Sequence, residues 1–156
     1  PAAVLPRPAA DPMEAIAPLV VDDHAAVCAL LRDDGLPTTD VQAQAMPDFF
    51  GARLHGRLVG AIGLERYDGA GLLRSLVVVF DQRGLGLAGR LVDALESRAK
   101  ADGLARLVLL TESARSFFER RGYAVVARDQ VPAEVLQSEQ FRGLCPASAT
   151  CLSKTL

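Results

Sequence analysis

Residues 74–99 read RSLVVVFDQRGLGLAGRLVDALESRA, and this stretch decides the fold. The apolar, β-branched run at 76–80 reads as a buried strand, and behind it Leu87, Leu91, Val92, Leu95 and Ala99 recur at helical spacing. Between them lies 81-DQRGLGLAGR-90, too rich in glycine to be either element. Where a strand runs through such a loop straight into a helix, the first-turn amides have no intrahelical partners. They also sit at the positive end of the helix dipole, so together they form an anion site. Glycine suits the position because a Cβ would hold the anion's oxygens off the backbone.

Two phosphate motifs compete for this loop. The Walker pattern needs a lysine after its glycines, and none follows here. The dinucleotide fingerprint G-x-G-x-x-G is matched in form by 84-GLGLAG-89. That fingerprint, however, opens a parallel βαβ unit and calls for a ribose-binding acid about 20 residues on, whereas here a β-hairpin comes first. The frame that remains is R-x-x-G-x-A, filled by Arg83, Gly86 and Ala88, and a plain structural turn between strand and helix stays open beside it.

Upstream, 48–54, a turn at His55–Gly56, 57–67, a turn at Asp68–Gly69 and 70–80 predict a three-strand meander. Before it, 14–21 reads as a first strand and 22–35 as a helix capped by Asp22 or Asp23 and stopped by Gly35. A polar loop with one helical turn near 40–46 then leads to the meander. Downstream come a strand at 105–111, a short helix at 113–121, a strand at 122–128, a short helix after Pro132, an irregular 142–148 and a last strand at 149–156. The order predicts an α+β, three-layer fold with one mixed central sheet and helices on both faces.

The chain has 156 residues, 50% of them hydrophobic, which suits one domain, assigned to 14–156 behind a Pro/Ala-rich tail at 1–13. A formal net charge of −2 excludes the concentrated basic surface of a nucleic-acid protein. No apolar run reaches membrane-spanning length, and the start lacks the apolar segment of an export leader. Cys28, Cys145 and Cys151 fit neither a disulfide framework nor a zinc pattern. The expectation is a cytoplasmic protein without membrane, nucleic-acid or metal partners.

The stretch 74–99 resembles the central motif of the GNAT acyltransferases: a strand, an R/Q-x-x-G-x-G/A loop and a helix. The segment 111-TESARSFFERRGY-123 resembles that family's next segment at Ala114, Phe117, Phe118, Gly122 and Tyr123. The resemblance covers 14–128 and implies acetyl-CoA as cosubstrate. It implies that the strands at 70–80 and 105–111 splay apart, so that main chain at Leu76, Val77 and Val78 meets the pantetheine. The amides of Gly84, Leu85, Gly86, Leu87, Ala88 and Gly89 would meet the pyrophosphate, and Thr111 and Phe118 would border the cofactor. Arg83 either supports the loop or reaches a phosphate. Phe118 stands where relatives often carry the tyrosine that protonates the leaving thiolate, and Phe80 where they often carry proline.

Acetyl transfer to an amine needs a base for the ammonium proton. A two-residue turn at Asp68–Gly69 sets Tyr67 opposite Ala70 and Glu65 opposite Leu72, on the sheet face of Arg74, Leu76 and Val78. Glu65 is the candidate base, and it also serves as an ion-pair partner for Arg74; the two roles are compatible. His24 and His55 read as capping or solvated residues, Tyr67 and Tyr123 as packing, and Glu112 and Glu119 as solvated helix surface. The segments 30–41, 63–78 and 140–154 resemble a GNAT branch associated with arsenic-resistance operons and similar to amino-acid N-acetyltransferases of the glutamate type. This implies a small amino acid or glutamate analogue as acceptor, phosphinic and arsinic antibiotics included. Arg74 and Arg142 would be its carboxylate or oxyanion partners, and a homodimer is the family-level expectation. Two other readings stand beside it: a non-catalytic coenzyme A-binding module, and a trivalent-arsenic binder built on Cys145, Cys151 and Cys28.

Overall fold

The computed structural model describes residues 15–156, so the tail at 1–13 and residue 14 lie outside the described residues. In chain order the elements are β1 (Ala17–Pro18), α1 (His24–Asp33), β2 (Phe49–Leu54), β3 (Arg57–Tyr67), β4 (Ala70–Val78), α2 (Leu87–Ala101), β5 (Arg106–Thr111), α3 (Arg115–Arg120), β6 (Ala124–Val125), α4 (Ala133–Leu136) and β7 (Thr150–Thr155). They form one seven-stranded sheet in the order β1-β2-β3-β4-β5-β7-β6. Only β4 and β5 run parallel; every other neighbouring pair is antiparallel. Among the described residues no helix is long and apolar enough to cross a membrane.

Helices cover both faces, as the alternation of patterns predicts. On one face Leu91, Val92 and Leu95 of α2 and Phe118 of α3 pack with Ile62, Leu64, Leu73, Leu107 and Leu152 from the sheet. On the other, Val27, Cys28 and Leu31 of α1 pack with Phe49, Ala61 and Val77, and Val135 of α4 packs with Ala70, Leu72 and Val108. Each such Leu or Val contributes about 1.5–3 kcal/mol by leaving water. Phe49 can lie across β3 only because residue 63 is glycine: a Cβ there would come within 2.5 Å of the ring.

The Asp68–Gly69 turn gives the expected register, with Tyr67 opposite Ala70 and Glu65 opposite Leu72. One expectation built on it fails. Gly63 pairs with Arg74 but Ala61 pairs with Val77, so Ser75 and Leu76 together oppose Ile62 in a β-bulge, with Ser75 in the left-handed region at φ 58°. The extra residue inverts the alternation. Arg74 stays on the α1 face with Glu65 and Val77, while Leu76 and Val78 turn to the α2 face.

Other boundaries also differ. The strand expected at 14–21 shrinks to β1 because the chain turns at Val21–Asp23 in a 3-10 turn. Neither Asp22 nor Asp23 caps α1 with its side chain. Asp23 instead accepts the Val20 N–H at 2.8 Å and an Arg53 N–H at 2.5 Å, which braces that turn. The strand expected at 122–128 is only Ala124–Val125, cut short by a 3-10 turn at Arg128–Gln130. β7 enters between β5 and β6, an insertion that sequence order did not reveal.

Candidate active site

β4 and β5 are joined at Ala70, Gly71 and Leu72 opposite Arg106, Leu107 and Val108, and there the bridging stops. β5 is paired along its other edge to β7 from Arg106 to Thr111. The bulge at Ser75 explains the parting, since it bends β4 just where the pairing ends. The Val79 N–H donates to the Val59 carbonyl at 2.9 Å, so by alternation the main chain of Val77 also turns toward β3. The main-chain groups of Leu76 and Val78 therefore face the gap. The gap opens into a cavity of about 470 Å³ lined by 73–76 of β4, 109–111 of β5, Glu112–Ala114, Phe118, 34–37, Gln140, Leu144–Pro146 and Ala149.

Directly after β4 comes the glycine loop. Gly84 and Gly86 hold φ values of 80° and 81°, where L side chains are strained, and Gly86 is the N-cap of α2. The ladder of α2 starts with the Arg90 N–H donating to the Gly86 carbonyl at 3.1 Å. The amides of Leu87, Ala88 and Gly89 before it thus lack intrahelical acceptors and point from the positive helix end. Arg83 turns back: its Nε donates to the Val78 carbonyl at 2.8 Å, and it pairs with Asp34 at 2.8 Å. Of the two roles open in the sequence, bracing the loop is the one the contacts supply.

At the other end of the cavity Arg74 is the organising residue, only 4% exposed. It donates to both oxygens of Asp40, to Glu65 Oε1 at 2.6 Å and to Ser75 Oγ at 3.0 Å. Four of its five N–H bonds are thereby used, leaving one. The Tyr67 hydroxyl donates to Glu65 Oε2 at 2.6 Å. Burial opposes the charge on Arg74, but the hydrogen bonds and charges of Asp40 and Glu65 outweigh it and hold the guanidinium pKa above its ordinary value. Burial, followed by Glu65, pushes the Tyr67 phenol up, so it stays a donor at neutral pH. His24 ties the same loop to α1, its Nε2 lying 2.7 Å from the Val41 carbonyl oxygen.

Residues 20–123 match the acetyltransferase (GNAT) family. The chain belongs to the GNAT acetyltransferase family. Its fold is similar to part of N-acetylglutamate synthase from Neisseria gonorrhoeae, solved in complex with coenzyme A and N-acetyl-glutamate (TM-score 0.79, 20% identity, 91% of this chain and 35% of that one). The Rv2747 protein of Mycobacterium tuberculosis, also solved with coenzyme A, is similar in fold over its whole length (TM-score 0.77, 22% identity, 92% and 99%). In sequence the chain is 35% identical over 81 residues to an amino-acid acetyltransferase of Ralstonia nicotianae, covering 51% of this chain and 18% of that protein. The chain thus spans less than a fifth of that relative's length.

Within this GNAT domain the sequence candidates do not all gather. Arg74, Leu76, Thr111 and Phe118 line the cavity, and the Thr111 hydroxyl accepts the Ala114 N–H at 3.0 Å ahead of α3. Phe118 is 3% exposed, edge-on to Phe117 and Tyr123. Glu65 stands beyond Arg74, its side chain 31% exposed, outside the lining. Arg142 is exposed and outside it too. Glu112, expected on a solvated helix surface, is exposed, but it sits in the bend before α3 at the edge of the cavity, which Gln140 and Cys145 also line. Cys145 drew notice only as part of an arsenic binder, and no signal marked Gln140 itself, because the turn that carries both has no regular pattern. The cysteines stay apart: Cys28 packs under α1, Cys151 packs beside α4, and Cys145 edges the cavity. Burial raises the thiol pKa of Cys145 and Cys151, which disfavours the thiolates an arsenic binder needs. Among the described residues no group of three or more His, Cys, Asp or Glu could hold a metal ion.

Proposed function

We propose that this domain transfers acetyl from acetyl-CoA to the amino group of a small amino acid or amino-acid analogue of the glutamate type. The observation that carries the reading is the unbridged gap between β4 and β5, which ends in a cavity whose one basic lining residue is Arg74. A pantetheine arm fits such a gap as an added strand would, taking hydrogen bonds from main chain at Leu76 and Val78. The amides from Gly84 to Gly89 fit the pyrophosphate, with Arg83 holding their loop to Val78 and Asp34. Thr111 and Phe118 border the same space. The thioester supplies an activated acetyl carbonyl.

Glu65, which stands outside the lining, accepts the proton of the acceptor's amine through one bridging water. Each carboxylate oxygen has two lone pairs, so the bonds from Arg74 and Tyr67 leave room for a third donor. Phe118 has no proton for the departing thiolate; the Thr111 hydroxyl, which accepts from Ala114, still has its own O–H to hydrogen-bond the sulfur, while the thiolate takes its proton from water. The amino-acid acceptor is supported by the amino-acid acetyltransferase likeness, and its glutamate type by the resemblance noted in the sequence. The phosphinic and arsinic analogues, and an association with arsenic resistance, rest on the resemblance of 30–41, 63–78 and 140–154, parts of which line the cavity. A homodimer and a cytoplasmic location go with the same reading.

Thiol release from acetyl-CoA, measured across amino acids, their phosphinic and arsinic analogues and simple amines, tests it. Turnover with at least one amino acid is the expected result. Phe118 supports one rival, a coenzyme A-binding module without turnover. Tight coenzyme A binding with no turnover on any acceptor would put that module in the enzyme's place.

A further inference from the structure

Three polar or charged residues among the described ones are buried: Arg74, Ser138 and Gln140. Arg74 is neutralised by Asp40 and Glu65, and Ser138 Oγ accepts the Phe141 N–H at 3.4 Å. Gln140 is different. It is 5% exposed, yet no described hydrogen bond uses its carboxamide. Only two fully enclosed side-chain polar atoms among the described residues lack a partner, Arg121 Nε and the Tyr123 hydroxyl. The Gln140 carboxamide is therefore not sealed off, and the space it opens on is the cavity that Gln140 lines. Its backbone is pinned, since the Cys145 N–H donates to its carbonyl at 3.2 Å and the Arg142 N–H bonds the Ser138 carbonyl at 2.9 Å.

A carboxamide held at a cavity wall without a protein partner keeps its donors and acceptor free for whatever fills the cavity, which marks it as a group kept for a ligand. A carboxamide offers two N–H donors and one acceptor. Arg74 is the only basic residue in the lining and has one N–H left, while Glu112 adds negative charge. An acceptor's carboxylate thus meets one spare guanidinium N–H and the neutral donors of Gln140. We infer that Gln140 is a specificity-determining residue of the acceptor site, where its carboxamide recognises a carboxylate of an amino-acid acceptor. This rests on the amino-acid reading above and deepens it: selection works through hydrogen bonds from an uncharged group, with a free cation playing little part.

The test is steady-state kinetics with L-glutamate, its α-amide and its γ-amide, for the wild type, Gln140→Leu and Gln140→Glu. Gln140→Leu should raise the KM for L-glutamate about tenfold, the loss of one hydrogen bond to a charged group, with kcat within about twofold. The increase should vanish for whichever amide lacks the recognised carboxylate. Gln140→Glu should raise it further by like-charge repulsion, and the KM for acetyl-CoA should not move in either variant. A KM unchanged in Gln140→Leu, or raised equally for glutamate and both amides, overturns the assignment while leaving the amino-acid reading intact. Wild-type turnover of putrescine but of none of the three amino acids overturns both.

Discussion

Two sides of one cavity are built from different parts of the chain. Toward α2 the groups on offer are main chain: the unbridged edge at Leu76 and Val78 and the first-turn amides before Arg90. Toward the 36–46 loop they are side chains, and Arg74 takes its principal partner, Asp40, from 34 positions upstream. A backbone site depends on dihedral angles, so it tolerates many side chains; Phe80, 85% exposed, stands where relatives often carry proline and meets the site only through its ring, 5.8 Å from the Arg83 guanidinium. A side-chain network has no such tolerance, because each member leaves the others with unpaired charge.

The largest effect should come from breaking the side-chain half. Arg74→Met leaves Asp40 and Glu65 facing each other without a counter-charge and should lower stability by about 3–5 kcal/mol in urea unfolding. A loss below about 1 kcal/mol would mean that the two halves do not differ in this way. Next, Glu65→Gln should reduce turnover at pH 7 about a hundredfold, the usual contribution of a positioned base. The rate should recover as pH rises and the acceptor's amine loses its proton unaided; an unchanged rate at pH 7 would remove Glu65 from the chemistry.

The backbone half should respond to conformation rather than bulk. A Cβ at residue 86 meets nothing within 4 Å, so space is not the constraint there. Gly86→Val should nonetheless cost about 1–3 kcal/mol and weaken coenzyme A binding in calorimetry, because φ 81° strains a β-branched residue. Gly86→Asn, which accepts the left-handed region, should bind nearly as well as the wild type. Equal losses for both would point to side-chain contacts at the loop.

The smallest effect belongs to Asp23, which braces the start of α1. Burial works against its charge, but the Val20 N–H and Arg53 more than offset it and hold its pKa below the ordinary carboxylate value. A depressed folded pKa gives stabilisation that is fully present above the unfolded value and lost as pH falls through the folded one. Asp23→Asn should therefore cost less than about 1 kcal/mol at neutral pH and flatten the acid limb of the stability curve.

Much of the fold was legible because it is coded by short-range patterns. The Asp68–Gly69 turn gave the register of β3 on β4, and with it the neighbourhood of Glu65 and Arg74. The same reasoning assumed unbroken alternation and so misplaced Leu76 and Val78. Nothing in 74-RSLVV-78 announces that Ser75 will take φ 58°; the bulge comes from how β4 must fit both β3 and the departing β5. Arg142 drew notice as a charged residue in an unusual tail, while its neighbour two positions back, Gln140, is the one that reaches the cavity. Which of them faces inward depends on the path of the 140–144 turn against β5 and β7.

By itself the sequence determined the strand–glycine loop–helix unit, the meander before it, the layer order and the family. Those follow from hydrophobic period and from dihedral demands that a few neighbouring residues settle among themselves. The tertiary structure alone decided that β7 inserts between β5 and β6, that Arg74 is locked between Asp40 and Glu65, and that Gln140 is left without a partner at the cavity wall. Each of these is set by contacts between residues far apart in the chain, and whether a polar side chain ends up paired or free depends on what the completed fold brings beside it.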